Sequence, residues 1–87
     1  MFDKAKKAIK AYFRNDTVPV RQGIFRIRNG RFRYVSENVG RSLNDEEAKL
    51  VNWGYCFTDD YYPDGRYKPH LIHNEDSDLM ELIKAID

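Results

Sequence analysis

Residues 25–34 read Phe-Arg-Ile-Arg-Asn-Gly-Arg-Phe-Arg-Tyr, an alternation of apolar and basic side chains broken by one Asn-Gly pair. Strict alternation has the period of a half-buried strand, and Asn-Gly tolerates positive φ at both residues. The stretch therefore predicts a β-hairpin with a two-residue turn. That turn sets a register: Arg28 opposite Arg31, Ile27 opposite Phe32, Arg26 opposite Arg33 and Phe25 opposite Tyr34. Successive strand side chains point to opposite faces. Phe25, Ile27, Phe32 and Tyr34 then share one face, and Arg26, Arg28, Arg31 and Arg33 share the other. Like charges directly opposite each other cost up to ~1 kcal/mol per pair. The fold alone gains nothing from two such pairs, so the arginine face is expected to serve a partner.

The chain has 87 residues, enough for one domain, 1–87, whose core is thin because a domain of this size buries only about 60–65% of its unfolded surface. Five Phe, six Tyr and one Trp enlarge the apolar area each buried position contributes. The net charge is only +1, but residues 1–43 carry eleven Lys/Arg against three Asp/Glu, and residues 44–87 carry four against eleven. Such segregation points to a partner, or to two halves that pair with each other. A single cysteine, Cys56, gives no disulfide framework and fits a reducing compartment. The N-terminus is basic but lacks a continuous apolar stretch, and no apolar run approaches the ~20 residues of a membrane span. A soluble cytoplasmic protein is expected, without a membrane role.

Along the chain, Phe2, Ala5, Ile9, Tyr12 and Phe13 recur at helical spacing with Lys6, Lys7, Lys10 and Arg14 opposite, which predicts a helix over 2–14. After a break at Pro19, the first hairpin covers 20–28 and 31–36, with Gly23 a candidate bulge. A helix follows, capped by Asn44 with Glu47 three residues on in a capping-box spacing or by the competing Ser42 with Asp45, and ends after Trp53 with Gly54 beyond it. Pro63-Asp64-Gly65 predicts a second hairpin over 55–73, with Tyr61 opposite Tyr67, Tyr62 opposite Arg66 and Asp60 opposite Lys68. A closing helix is expected from Leu79, Leu82, Ile83 and Ile86. The fold class is α+β in the order α-β-β-α-β-β-α, an antiparallel sheet of two hairpins covered by helices on one face.

Chemistry-bearing constellations are weak. His70 and His73 with Asp59 and Asp60 suggest a metal-dependent hydrolase, but His-x-x-His in a strand puts the rings on opposite faces. Cys56 between aromatics reads as a small buried hydrophobe rather than a nucleophile. No phosphate-cradling glycine loop, nucleophile elbow or zinc knuckle is present. No cofactor, metal or catalytic residue is expected, and the chain is read as non-enzymatic. The favoured function is a small regulatory protein that binds a larger protein with an acidic surface. Its contacts would be Arg21, Arg26, Arg28, Arg31 and Arg33, with Tyr61, Tyr62 and Tyr67 as anchors, since Tyr and Arg are enriched at interface hot spots. Size and composition suit the inhibitors that phages and mobile elements carry. The alternative is DNA or RNA binding, with the hairpin as a ribbon in a groove and Lys6 and Lys10 on phosphates. Against it stand the acidic C-terminal half and the expectation that the aromatics face the core.

Overall fold

The computed structural model describes residues 16–37, 41–68 and 74–87. The helix expected over 2–14, with Lys6 and Lys10, lies outside the described residues, as do His70 and His73.

Strands β1 (Gly23–Ile27) and β2 (Phe32–Ser36) form the expected antiparallel hairpin, but one residue out of the expected register. Phe25 stands opposite Arg33, Ile24 opposite Tyr34 and Arg26 opposite Phe32. The cause lies in the turn. Its loop has three residues, Arg28-Asn29-Gly30, closed by Gly30 N–H donating to Ile27 O at 2.9 Å and Ile27 N–H donating to Arg31 O at 2.8 Å. Gly30 takes φ +86°, and the Asn29 side-chain oxygen accepts from Arg31 N at 2.9 Å. One extra loop residue moves one strand's side-chain set to the other face. The single arginine face expected from the two-residue turn does not form.

Both faces of the hairpin are consequently packed. Phe25, Ile27 and Val35 join Tyr61 and Leu79 in one buried cluster. Ile24 and Tyr34 join Ile86 in another, with Phe32, Leu43 and Val51 against it.

The short helix α1 (Asp45–Leu50) starts as expected. Asn44 accepts from Glu47 N at 2.8 Å, and the Glu47 carboxylate accepts from Asn44 N at 3.0 Å. It ends three residues early, because Val51 is already extended. Asn52 and Trp53 then donate their N–H groups to Phe32 O, which leads the chain along β2 into β3 (Tyr55–Phe57). β3 runs parallel to β2, with Tyr34 beside Tyr55 and Ser36 beside Phe57. The expectation that this segment opens a second hairpin of the sheet is corrected accordingly.

The Pro63-Asp64-Gly65 turn does form, in the expected register. Tyr61 bridges Tyr67, Tyr62 N–H donates to Arg66 O at 2.8 Å, and Lys68 N–H donates to Asp60 O at 2.9 Å. This small hairpin stays outside the sheet and lies over the Phe25 face, where Tyr61 enters the core.

The C-terminal helix is also corrected. β4 (Leu79–Ala85) is a strand, antiparallel to β1. Its ladder shifts register between Ile24 and Phe25 and again between Arg26 and Ile27. The second shift lets Leu79 and Leu82, three apart, stand opposite Ile27 and Phe25 on one face. A helix makes that spacing by turning; here one inserted residue, Met80, makes it. The result is an α+β fold with little helix and a four-stranded mixed sheet in the order β3-β2-β1-β4. Among the described residues no helix is long and apolar enough to cross a membrane.

Candidate partner-binding surface

The register change separates the arginines. Arg21 pairs with Asp87 at 3.3 Å and Arg26 approaches Glu81 at 3.9 Å. Arg28, half-buried at the turn, binds Asp16 at 2.7 and 3.0 Å and the fully buried Asp78 at 3.2 Å. Asp78 in turn accepts from Tyr67 N at 2.9 Å, tying the hairpin turn to the 60–68 hairpin. Its hydrogen bonds to Asp16 hold the Arg28 guanidinium above its ordinary value, more than offsetting the opposing effect of burial. The basic N-terminal half and the acidic C-terminal half therefore meet in the fold at Arg21, Arg26 and Arg28. Arg28→Ala removes the cation beside the buried Asp78 carboxylate and is expected to cost ~2–4 kcal/mol in a denaturant melt. Arg31→Ala, at an exposed position, is expected to stay within about 0.5 kcal/mol.

Arg31 and Arg33 make no ion pair among the described residues. Both flank Phe32 and turn to the Phe25 side. Arg33 is half-buried. Its Nη1 donates to the Tyr61 hydroxyl at 3.3 Å, its Nε to Trp53 O at 3.4 Å, and its guanidinium lies 5.7 Å from the centre of the Tyr67 ring. Burial works most strongly against the Arg33 charge, but Tyr61, Cys56 and Tyr67 together outweigh it and the group is held above its ordinary value. The Tyr61 hydroxyl donates to Ser77 O at 2.8 Å, and burial pushes its pKa up, so it is a neutral donor. Tyr61 is thus a core residue, not an exposed anchor. Tyr67 is half-buried against it, at 5.2 Å between ring centres. Tyr62 points the other way, with Arg66 at 4.9 Å and Lys68 at 5.8 Å from its ring centre.

Among the described residues the most exposed aromatic surface lies elsewhere, at the β3 edge. Tyr55 is 63% exposed, Trp53 41% and Phe57 38%, with Leu50 nearby in sequence at 42%. Alternation along β3 puts Tyr55 and Phe57 on the Tyr34 face, where their rings meet edge to face at 5.7 Å. They wall an open groove of about 530 Å³ with Tyr34 and Leu43, rimmed by Arg41, Ser36, Ser42 and Glu37. On the other side, Arg31 stacks on Trp53 at 4.9 Å. Trp53 and Phe57 are absent from the sequence-derived set. Their apolar character reads as core until the strand pairing shows that β3 ends the sheet.

Among the described residues no group of three His, Cys, Asp or Glu side chains could hold a metal ion. Cys56 is half-buried, and burial pushes its thiol up, which favours the protonated form. No family model matches the chain, and no curated protein or solved structure does either.

Proposed function

We propose that this chain is a non-enzymatic interaction module that binds a larger protein through the aromatic edge formed by Trp53, Tyr55 and Phe57, with Arg31 beside it. The observation that carries this reading is the exposure of three aromatic side chains on consecutive odd positions at the end of the sheet. A thin core has every reason to bury them, and exposed aromatics rimmed by polar groups are the common mark of a protein contact. Arg31 adds a cation that meets no carboxylate among the described residues, which suits an acidic partner surface. Arg33, Tyr62 and Tyr67 extend the basic and aromatic character towards the 60–68 hairpin. Arg21, Arg26 and Arg28 contribute to stability through their acidic neighbours, and the contact surface moves from the hairpin to the edge of the sheet.

The competing reading is nucleic acid. Arg31 on Trp53 and Arg66 with Lys68 on Tyr62 are cation–aromatic pairs of the kind that stack bases. A titration with labelled duplex and single-stranded oligonucleotides at two salt concentrations separates the two. The protein-binding reading predicts dissociation constants no tighter than ~10⁻⁴ M at physiological salt, the weak end of non-specific binding. Micromolar binding with a steep salt dependence would overturn it. Trp53→Ala and Tyr55→Ala are expected to leave the melting temperature within about 3 °C of the parent, because both side chains face solvent.

A further inference from the structure

We propose that β3 accepts an extended segment of the protein partner as a fifth strand of the sheet. The segment would carry an apolar side chain into the Tyr55–Phe57 groove and an acidic residue against Arg31. The proposal rests on the protein-binding reading and names its mode.

The argument begins with the contrast between the two edges. On β4, Leu79 is engaged on its outer side: Val18 N–H donates to Leu79 O at 2.9 Å, and Leu79 N–H donates to Gly65 O at 3.0 Å. Beyond it come the two register shifts and the charged Glu81 and Lys84. Bulges and charges are two of the devices that keep a sheet edge from recruiting another strand, and short length is a third. β3 is short but carries neither bulge nor charge. Its three residues are Tyr-Cys-Phe, in regular parallel register with β2.

The backbone of β3 faces the right way. Tyr34 N–H donates to Gly54 O at 3.2 Å. In a parallel ladder alternate residues turn their backbone groups to opposite sides. Gly54 and Cys56 therefore address β2, and Tyr55 and Phe57 address the outside. Asp60 Oδ2 already accepts from Phe57 N at 2.9 Å. Phe57 is also the N-cap of the 3-10 turn Thr58–Asp60, whose first hydrogen bond takes its C=O, so among the described residues the Tyr55 N–H and C=O are the groups left to pair with an incoming strand. Strand addition draws affinity from such main-chain bonds and specificity from pockets for alternate side chains. The groove walled by Tyr55 and Phe57 is such a pocket. At the start of β3 the exposed Arg31 cation, held over Trp53, makes no ion pair among the described residues and sets the acidic preference.

The test uses three labelled nonapeptides. One alternates leucine with threonine and ends in two aspartates; one has lysines in place of the aspartates; one has proline at alternate positions. Binding is read by fluorescence anisotropy and by amide exchange of the full chain. The expected result is a Kd for the aspartate peptide at least fivefold tighter than for the lysine peptide, with no binding of the proline peptide. Exchange at the Tyr55 amide should slow at least tenfold. Tyr55→Lys should weaken binding at least tenfold with an unchanged melt, and Phe57→Ser gives a second readout should that variant fold poorly. Peptide-induced changes at the 60–68 hairpin with the Tyr55 amide unmoved, or no change with any peptide, would overturn strand addition. Either result leaves a side-chain-mediated protein contact standing, whereas the oligonucleotide titration alone decides whether the partner is a protein.

Discussion

Gly65→Ala is expected to lower the melting temperature by ~15 °C or more, the largest loss from any single methyl added to this chain. Gly65 is buried at φ +93° in the turn of the 60–68 hairpin. Left-handed backbone costs a residue with a Cβ ~1–2 kcal/mol. The larger part of the loss is steric. A Cβ there would collide with the backbone carbonyl of Val18 and press on Leu79 Cβ. That carbonyl cannot yield easily, because Val18 N–H is bonded to Leu79 O, and Leu79 N–H to Gly65 O. The Thr17 hydroxyl also donates to Asp64 O. Moving one strand segment breaks the others, for an estimated total of ~3–4 kcal/mol, and each kcal/mol is worth ~4–8 °C in a domain of this size. Gly30→Ala is the control. It shares the positive φ, at +86°, but nothing lies within 4 Å of its Cβ position, so a fall of only ~4–10 °C is expected. Thermal melts by circular dichroism compare the two. Equal losses would show that conformation alone, and not the Val18 contact, sets the effect.

Glu47→Gln is also expected to be damaging, with a fall of ~10 °C at neutral pH. Glu47 is 1% exposed, yet it is a charged hub. Arg41 binds it through two nitrogens at 2.6 and 2.9 Å, Lys84 Nζ lies at 2.9 Å, and Asn44 N donates at 3.0 Å. It therefore joins α1, the chain before it and β4 over the Ile24 cluster. The hydrogen bonds from Arg41, followed by those from Asn44 and Lys84, hold its carboxyl far below the ordinary carboxylate range. A depressed folded pKa stabilises above the unfolded value and is lost as pH falls. The Glu47 contribution is accordingly complete above about pH 4.5 and declines below it. Parent and Glu47→Gln melting temperatures should differ most near neutrality and converge towards acid. A constant gap from pH 7 to pH 3 would contradict the assignment.

Local signals in the sequence carried through where the residues bonded to near neighbours. The Asn44–Glu47 capping box and the Pro63-Asp64-Gly65 turn both formed in the expected register. The errors came from the far side of the chain. Placing every apolar residue of the first hairpin on one face assumed a sheet with one dry side. Here Phe25 and Ile24 are both fully buried, on opposite faces, so the apolar set does not by itself choose between two registers one residue apart. The Asn29 side chain and a third loop residue chose instead. Leu79, Leu82, Ile83 and Ile86 carry a helical spacing, yet in the fold Leu79 and Ile86 join clusters on opposite faces and Leu82 and Ile83 stay exposed, an outcome that periodicity does not foretell. The parallel pairing of β3 depends on Phe32 capturing Asn52 and Trp53, a contact twenty residues distant with no short-range signature. The binding surface was missed for the same reason, since the exposure of Trp53 and Phe57 follows from that pairing.

The most direct test of binding through the β3 edge is site-specific photo-crosslinking in nuclease-treated extract of the source cells. A benzophenone side chain is placed at Tyr55, and at the exposed Ile83 of β4 as a control. The account predicts a discrete protein adduct from position 55, none of that mass from position 83, and competition by the unmodified chain but not by its Trp53→Ala variant. The same adducts from both positions, or adducts at 55 that the Trp53→Ala variant competes as well as the parent, would contradict it.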